Sequence, residues 1–143
     1  MNTDRDRPSY PAFLNLRGRL VVIIGGDRAA EHSVFELLEY GPDIVVIAPE
    51  VSPALDRLVA EGRIENEPRS YVRGDLGGAF LVVCTSDSLE TNRAVYLEAE
   101  AMGCLVSVVG SPELSNFTTP AEEIMRGFAL ESDGTGPSGR TGD

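Results

Sequence analysis

Four apolar runs alternate along this chain with stretches of helical period. Residues 20–24, Leu-Val-Val-Ile-Ile, form a continuous run rich in β-branched side chains. A run without polar alternation predicts a strand covered on both faces, as in a parallel sheet. Gly25-Gly26 ends it. From residue 29 to 40 the period changes. Ala30, Val34, Leu37 and Leu38 share one helical face, and Gly41-Pro42 stops the helix. Residues 44–48 predict a second buried strand. Ser52 as cap and Pro53 in the first turn open a second helix, with Leu55, Leu58 and Val59 on its apolar face and Gly62 at its close. Residues 63–67 predict a short edge strand, and 79–85 a further buried one. Asp87 is the expected cap of the next helix, with Glu90 completing a capping box. That helix runs to about Met102 and ends at Gly103, and residues 105–109 predict the last strand.

The order β-α-β-α-β-β-α-β implies parallel strands joined by right-handed crossovers. The expected fold is α/β, a single Rossmann-like doubly wound parallel sheet. Residues 1–12, polar and containing Pro8 and Pro11, read as an N-terminal arm, and 13–130 as the domain. Residues 131–143 hold none of the residues that build a core and are expected to be disordered.

Composition narrows the function. The length of 143 residues suits one domain. A net charge of -11 argues against nucleic acid as a partner, because such binding relies on Lys and Arg neutralising phosphates. No apolar run approaches the roughly 20 residues that span a membrane, and no signal-peptide core follows the polar start. A cytoplasmic protein is expected. Cys84 and Cys104 fall in or beside predicted strands and read as small core residues. His32 is the only histidine, so no Cys/His metal site is expected.

The chemistry lies in Gly25-Gly26-Asp27-Arg28-Ala29-Ala30. A dinucleotide site needs one glycine for the tight turn, a second for close approach of the pyrophosphate, and a third small residue where helix meets strand. Gly25 and Ala30 suit the first and third roles. Asp27 at the middle position adds a Cβ and a negative charge where phosphates would sit. Glu50, after the second strand, could accept from ribose hydroxyls.

The ordered set of segments resembles the dehydrogenase domain of siroheme synthase, the precorrin-2 dehydrogenase/sirohydrochlorin ferrochelatase family. The stretches are Tyr10-Pro11-Ala12-Phe13-Leu14-Asn15-Leu16-Arg17-Gly18-Arg19, Val22-Ile23-Ile24-Gly25-Gly26 and Val46-Ile47-Ala48-Pro49-Glu50. They continue through residues 78–87, Asn92-Arg93, and Val108-Val109-Gly110-Ser111-Pro112-Glu113-Leu114, covering about residues 10 to 130. The resemblance implies NAD-dependent oxidation of precorrin-2 to sirohydrochlorin in siroheme biosynthesis, a porphyrin-type pathway; some members also insert ferrous iron. Carried over by position, NAD would contact Gly25, Gly26, Arg28, Ala29, Pro49 and Glu50, with Thr85 and Ser86 lining the same crevice.

This chain departs from the family at several positions. Asp27 replaces the third of three glycines and opposes NAD binding. His32 and Ser33 stand where the family has basic residues, and Asn116 where it usually has Ser. The family's catalytic aspartate matches Gly110, so no catalytic residue and no metal ligand is assigned. The chain ends soon after Phe128, and the family's helical dimerisation region is expected to be missing, as in a truncated, divergent member. A tetrapyrrole polycarboxylate would find few cations, the candidates being Arg28, Arg93 and Arg126. Three functions follow as expectations. The first is an NAD-dependent oxidoreductase, and the second a catalytically degenerate module that senses a nucleotide or binds a tetrapyrrole-pathway partner. The third, which fits less well, is a nucleotide-sensing domain of the potassium-channel regulator kind. A homodimer is compatible with each.

Overall fold

In the computed structural model, which describes residues 8–120 and 122, strand β1 (Leu20–Ile24) lies at the centre of a five-stranded sheet. β2 (Asp43–Ile47) and β3 (Glu65–Glu67) extend it on one side, β4 (Leu81–Cys84) and β5 (Leu105–Val108) on the other. All pairings are parallel, with Val22 opposite Val45 and Val82. The order β3-β2-β1-β4-β5 reverses direction at β1, which makes the sheet doubly wound.

The unbroken apolar runs are explained by the two layers they feed. Successive strand residues point to opposite faces. Val21, Ile23, Val46 and Val83 pack in one cluster with Val34 of helix α1 (Arg28–Leu38) and Leu55 and Leu58 of α2 (Pro53–Ala60). Val22, Ile24, Val82 and Val106 pack in the other with Val95 and Ala99 of α3 (Leu89–Met102). The crossover from β3 to β4, residues 68–80, holds no helix and delivers the fully buried Leu76 to this second layer. Cys84 and Cys104 are free, buried thiols of the same layer, and burial pushes both up from the ordinary thiol range.

β3 is the edge strand that its composition suggested. The other edge, β5, is covered. Asn116 accepts from the Val106 N–H at 2.8 Å and donates its own N–H back to the Val106 carbonyl at 2.9 Å. Ser115 Oγ accepts from the Val108 N–H at 2.9 Å. β1 matches its apolar run, β2 sits one residue earlier than its run, β4 and β5 are a little shorter than theirs, and α1 ends at Leu38 rather than Tyr40.

One expectation is overturned at α3. Its cap is Ser88, not Asp87: Ser88 Oγ accepts from the Thr91 N–H at 3.2 Å. Both residues are competent caps, and the last extended backbone before the helix decides between them. Glu90 thereby falls one position short of the capping-box site. The arm's first seven residues, Arg126, Phe128 and the 131–143 tail lie outside the described residues.

Candidate functional site

Three loops converge at the carboxyl ends of β1, β2 and β4. Gly25 has φ +130°, and a Cβ there would lie 2.0 Å from Thr85 Oγ1. A Cβ on Gly26 would lie 2.1 Å from the Glu50 carbonyl oxygen. Both glycines are therefore demanded by the neighbouring loops, before any ligand is considered. Backbone bonds lock the junction: Gly25 N–H to the Ile47 carbonyl (3.0 Å), Thr85 N–H to the Ile24 carbonyl (2.8 Å) and Ser52 N–H to the Gly26 carbonyl (3.0 Å).

Asp27 has a part in this junction that the glycine pattern concealed. It caps α1, its Oδ1 accepting from the Ala30 N–H at 3.0 Å, so the helix starts at Arg28 rather than Ala29. Thr85 Oγ1 lies 3.1 Å from that same oxygen and 3.3 Å from the Ile24 carbonyl, two acceptors for one hydroxyl proton. A carboxylate here is favourable to the helix, whose N-terminus carries partial positive charge, and occupies the place an anion would take. Ser52 ties the helix ends together, accepting from the Leu55 N–H at 3.3 Å and donating to Glu31 Oε2 at 3.0 Å.

The loops enclose an open cleft of 640 Å³, within the roughly 300–1,000 Å³ typical of small-molecule sites. Gly25, Gly26, Pro49, Glu50, Thr85 and Ser86 all border it, although the sequence separates them into three segments. Arg28 and Ala29 do not. They form the first turn of α1 behind the Asp27 cap, with Arg28 exposed, and their N–H groups precede the helix's internal ladder. Arg93 is exposed on α3, away from the cleft wall, and His32 is exposed on α1. Among the described residues that line the cleft, Asp27, Glu50 and Asp87 are acidic and none is Lys or Arg. Gly110 follows β5 with φ +85° and open space around its Cβ position.

Sequence reasoning missed the contribution of the 68–80 crossover. Ser70 and Tyr71 border the cleft. The Tyr71 hydroxyl donates to Glu98 Oε1, and Glu98 Oε2 accepts from the N–H groups of Gly74 (3.1 Å) and Leu76 (3.2 Å). Burial, reinforced by Glu98, pushes the Tyr71 phenol well above its ordinary value. Arg69 and Asp75 close the same loop with paired bonds of 2.8 and 2.9 Å, and the guanidinium holds the Asp75 carboxyl below the usual range. A lone tyrosine in a segment without periodicity gives no signal of such a role.

Comparison with known proteins agrees with this architecture. The family model described as "Putative NAD(P)-binding" matches residues 12–121. The siroheme synthase of Methylobacillus flagellatus is 37% identical over 131 residues, 90% of this chain and 28% of the relative. That of Chromobacterium violaceum is 39% identical over 112 residues, 78% of this chain and 24% of the relative. The chain thus spans about a quarter of the length of these relatives. The solved structure of SirC, a precorrin-2 dehydrogenase, superposes with a TM-score of 0.71 at 22% identity, over 87% of this chain and 71% of that one. The likeness to SirC is one of fold. No described helix is long and apolar enough to cross a membrane. Matched over residues 12–121, the chain belongs to the putative NAD(P)-binding family of Rossmann-like domains, and over most of its length it is similar to a part of siroheme synthases.

Proposed function

We propose that this chain binds NAD in the cleft above β1, β2 and β4 and serves as the cofactor-binding domain for oxidation of precorrin-2 to sirohydrochlorin, in the cytoplasm. The observation that carries the reading is the convergence of Gly25-Gly26, Pro49-Glu50 and Thr85-Ser86 on one cleft at the switch point of the sheet. The shape suits a dinucleotide. The glycine turn borders the cleft directly, while Arg28 and Ala29 stand behind the Asp27 cap. Glu50 would accept from ribose hydroxyls, and a 2′-phosphate would meet its charge, which favours NAD over NADP. The nicotinamide, when bound, supplies the hydride acceptor. The chain's own residues bind and orient it. Asp27 works against the pyrophosphate, at a cost of about 1 kcal/mol for like charges near 4 Å in water.

A specific observation favours a second reading. Gly110 offers no side chain to move a proton where the family's aspartate is expected, and among the described residues the cleft wall has no Lys or Arg for a polycarboxylate. A degenerate module that senses a nucleotide or docks on a tetrapyrrole-pathway protein would need neither. Calorimetric titration with NAD and NADP, followed by a spectrophotometric assay of precorrin-2 oxidation, separates the two. NAD binding with turnover supports the dehydrogenase. NAD binding without turnover supports the module. No heat with either nucleotide at millimolar concentration removes both the cofactor and the nucleotide-sensing reading.

A further inference from the structure

The crossover between β3 and β4 is an unusual wall for a nucleotide cleft, because it is a strap of loop held at two points. Arg69 and Asp75 clamp it through paired hydrogen bonds, and Asp75 Oδ2 also accepts from the Val72 N–H at 2.8 Å. Glu98, reaching from α3, takes the Tyr71 hydroxyl with one oxygen and two strap N–H groups with the other. Tyr71 is half-buried against the α3-side core and borders the cleft together with Ile24 and Ile47, the last residues of β1 and β2. With its hydroxyl committed to Glu98, what Tyr71 offers a ligand is an apolar, flat ring in a fixed orientation.

The sheet order says which part of a dinucleotide would meet it. Pyrophosphate belongs at the glycine turn and the adjoining ribose at the acid after β2. The base then lies farther out, toward β2 and β3, and Tyr71 follows β3. Thr85 and Ser86, after β4, lie on the opposite side of β1. A purine has two π faces and needs a wall of this kind more than it needs charge. We infer that the Tyr71 ring, backed by Ile24 and Ile47, is the surface on which the adenine base of the nucleotide stacks. The inference rests on the dinucleotide reading above and names a residue that the glycine turn and Glu50 do not supply.

The test is calorimetric titration of the full chain, wild type, Tyr71→Phe and Tyr71→Leu, with NAD, AMP and nicotinamide mononucleotide at fixed salt. Loss of base–aromatic stacking predicts that Tyr71→Leu binds AMP and NAD about tenfold more weakly. Tyr71→Phe stays within about twofold of wild type by the same principle, and nicotinamide mononucleotide is indifferent to both changes. A second readout does not depend on the leucine variant folding. The chain has four tyrosines and no tryptophan, so tyrosine emission is directly visible. AMP should quench it in wild type, and the quench should vanish in Tyr71→Phe while binding persists. If Tyr71→Leu binds AMP and NAD as wild type does, or if the quench survives in Tyr71→Phe, stacking on Tyr71 is wrong and the dinucleotide reading stands. If wild type binds neither AMP nor NAD, the dinucleotide reading itself fails, and the stacking inference with it.

Discussion

The two halves of the cleft are built under different constraints. On the β2 side, the glycine turn, Ser52 and Tyr71 are also structural, while Pro49 and the Glu50 side chain are exposed. Gly26 passes within a Cβ's reach of the Glu50 carbonyl, Ser52 holds Gly26 by its N–H, and Tyr71 anchors the crossover to α3 through Glu98. On the β4–β5 side, Thr85 is buried against Gly25 and Asp27, and Ser86 holds the entry to α3, its Oγ accepting from the Ser88 N–H at 2.9 Å. Beyond these, Asp87 is exposed and uses neither oxygen to cap α3, and Gly110 sits in open space. A residue that the fold requires cannot be lost without destabilising the domain, whereas one that it does not require can be. If NAD binds as proposed, the glycine turn therefore stays legible in a divergent chain while the unconstrained positions do not.

Breaking the constrained half should have the largest effect. Gly25→Ala places a methyl 2.0 Å from Thr85 Oγ1 at φ +130°. The left-handed backbone costs about 1–2 kcal/mol and overpacking about 1–3 more. Urea unfolding should show a loss of roughly 2–5 kcal/mol. A loss below about 0.5 kcal/mol would mean that the junction can open, and that the glycines serve the ligand rather than the fold.

Much of this division was readable from the residues alone. Uninterrupted β-branched runs gave the buried parallel strands, because each run must supply both layers. Glycine doublets and Ser52-Pro53 marked the turns. The capping role of Asp27 is not legible, because a glycine pattern scores side chains against a ligand and cannot see that a carboxylate there also caps α1. Asp87 and Ser88 are both competent caps, and only the backbone conformation chooses between them. Tyr71 was invisible because its importance comes from Glu98, 27 residues away in sequence, and from a crossover with no period to read.

Asp27 permits a sharper test of charge in the constrained half. Asn caps a helix about as well as Asp, so Asp27→Asn keeps the hydrogen bond to Ala30 and removes the charge. Binding of NAD should tighten about fivefold at low salt, with the gain shrinking as salt rises. Unchanged affinity would show that the pyrophosphate does not approach the α1 cap. On the unconstrained side, Gly110→Asp should cost only about 1 kcal/mol, since the space is open and Asp tolerates the left-handed region better than most residues. If the dehydrogenase reading holds and only that side chain is missing, precorrin-2 oxidation should rise in this variant. A well-folded, NAD-binding Gly110→Asp with no gain favours the degenerate module.

The smallest effect is a pH dependence, and it probes whether the Tyr71 anchor belongs to the folded state as drawn. Burial, and then the hydrogen bond to Glu98, raise the Tyr71 pKa above that of a free phenol. The folded state therefore favours the protonated form. An unfolded tyrosine ionises near pH 10. Below that value the contribution of Tyr71 to stability is fully present. Above it the unfolded chain releases a proton that the folded chain keeps, and the contribution is progressively lost as pH rises toward the folded pKa. Tyr71→Phe should be less stable than wild type at neutral pH by about 1 kcal/mol, the net value of a hydrogen bond. The gap should narrow by a few tenths of a kcal/mol between about pH 9.5 and 10.5, the linkage being discounted because the residue is only half-buried. Chemical denaturation of both proteins across that range measures it directly. A gap that stays constant would mean that the phenol ionises freely in the fold, and that the Tyr71–Glu98 bond does not anchor the crossover to α3.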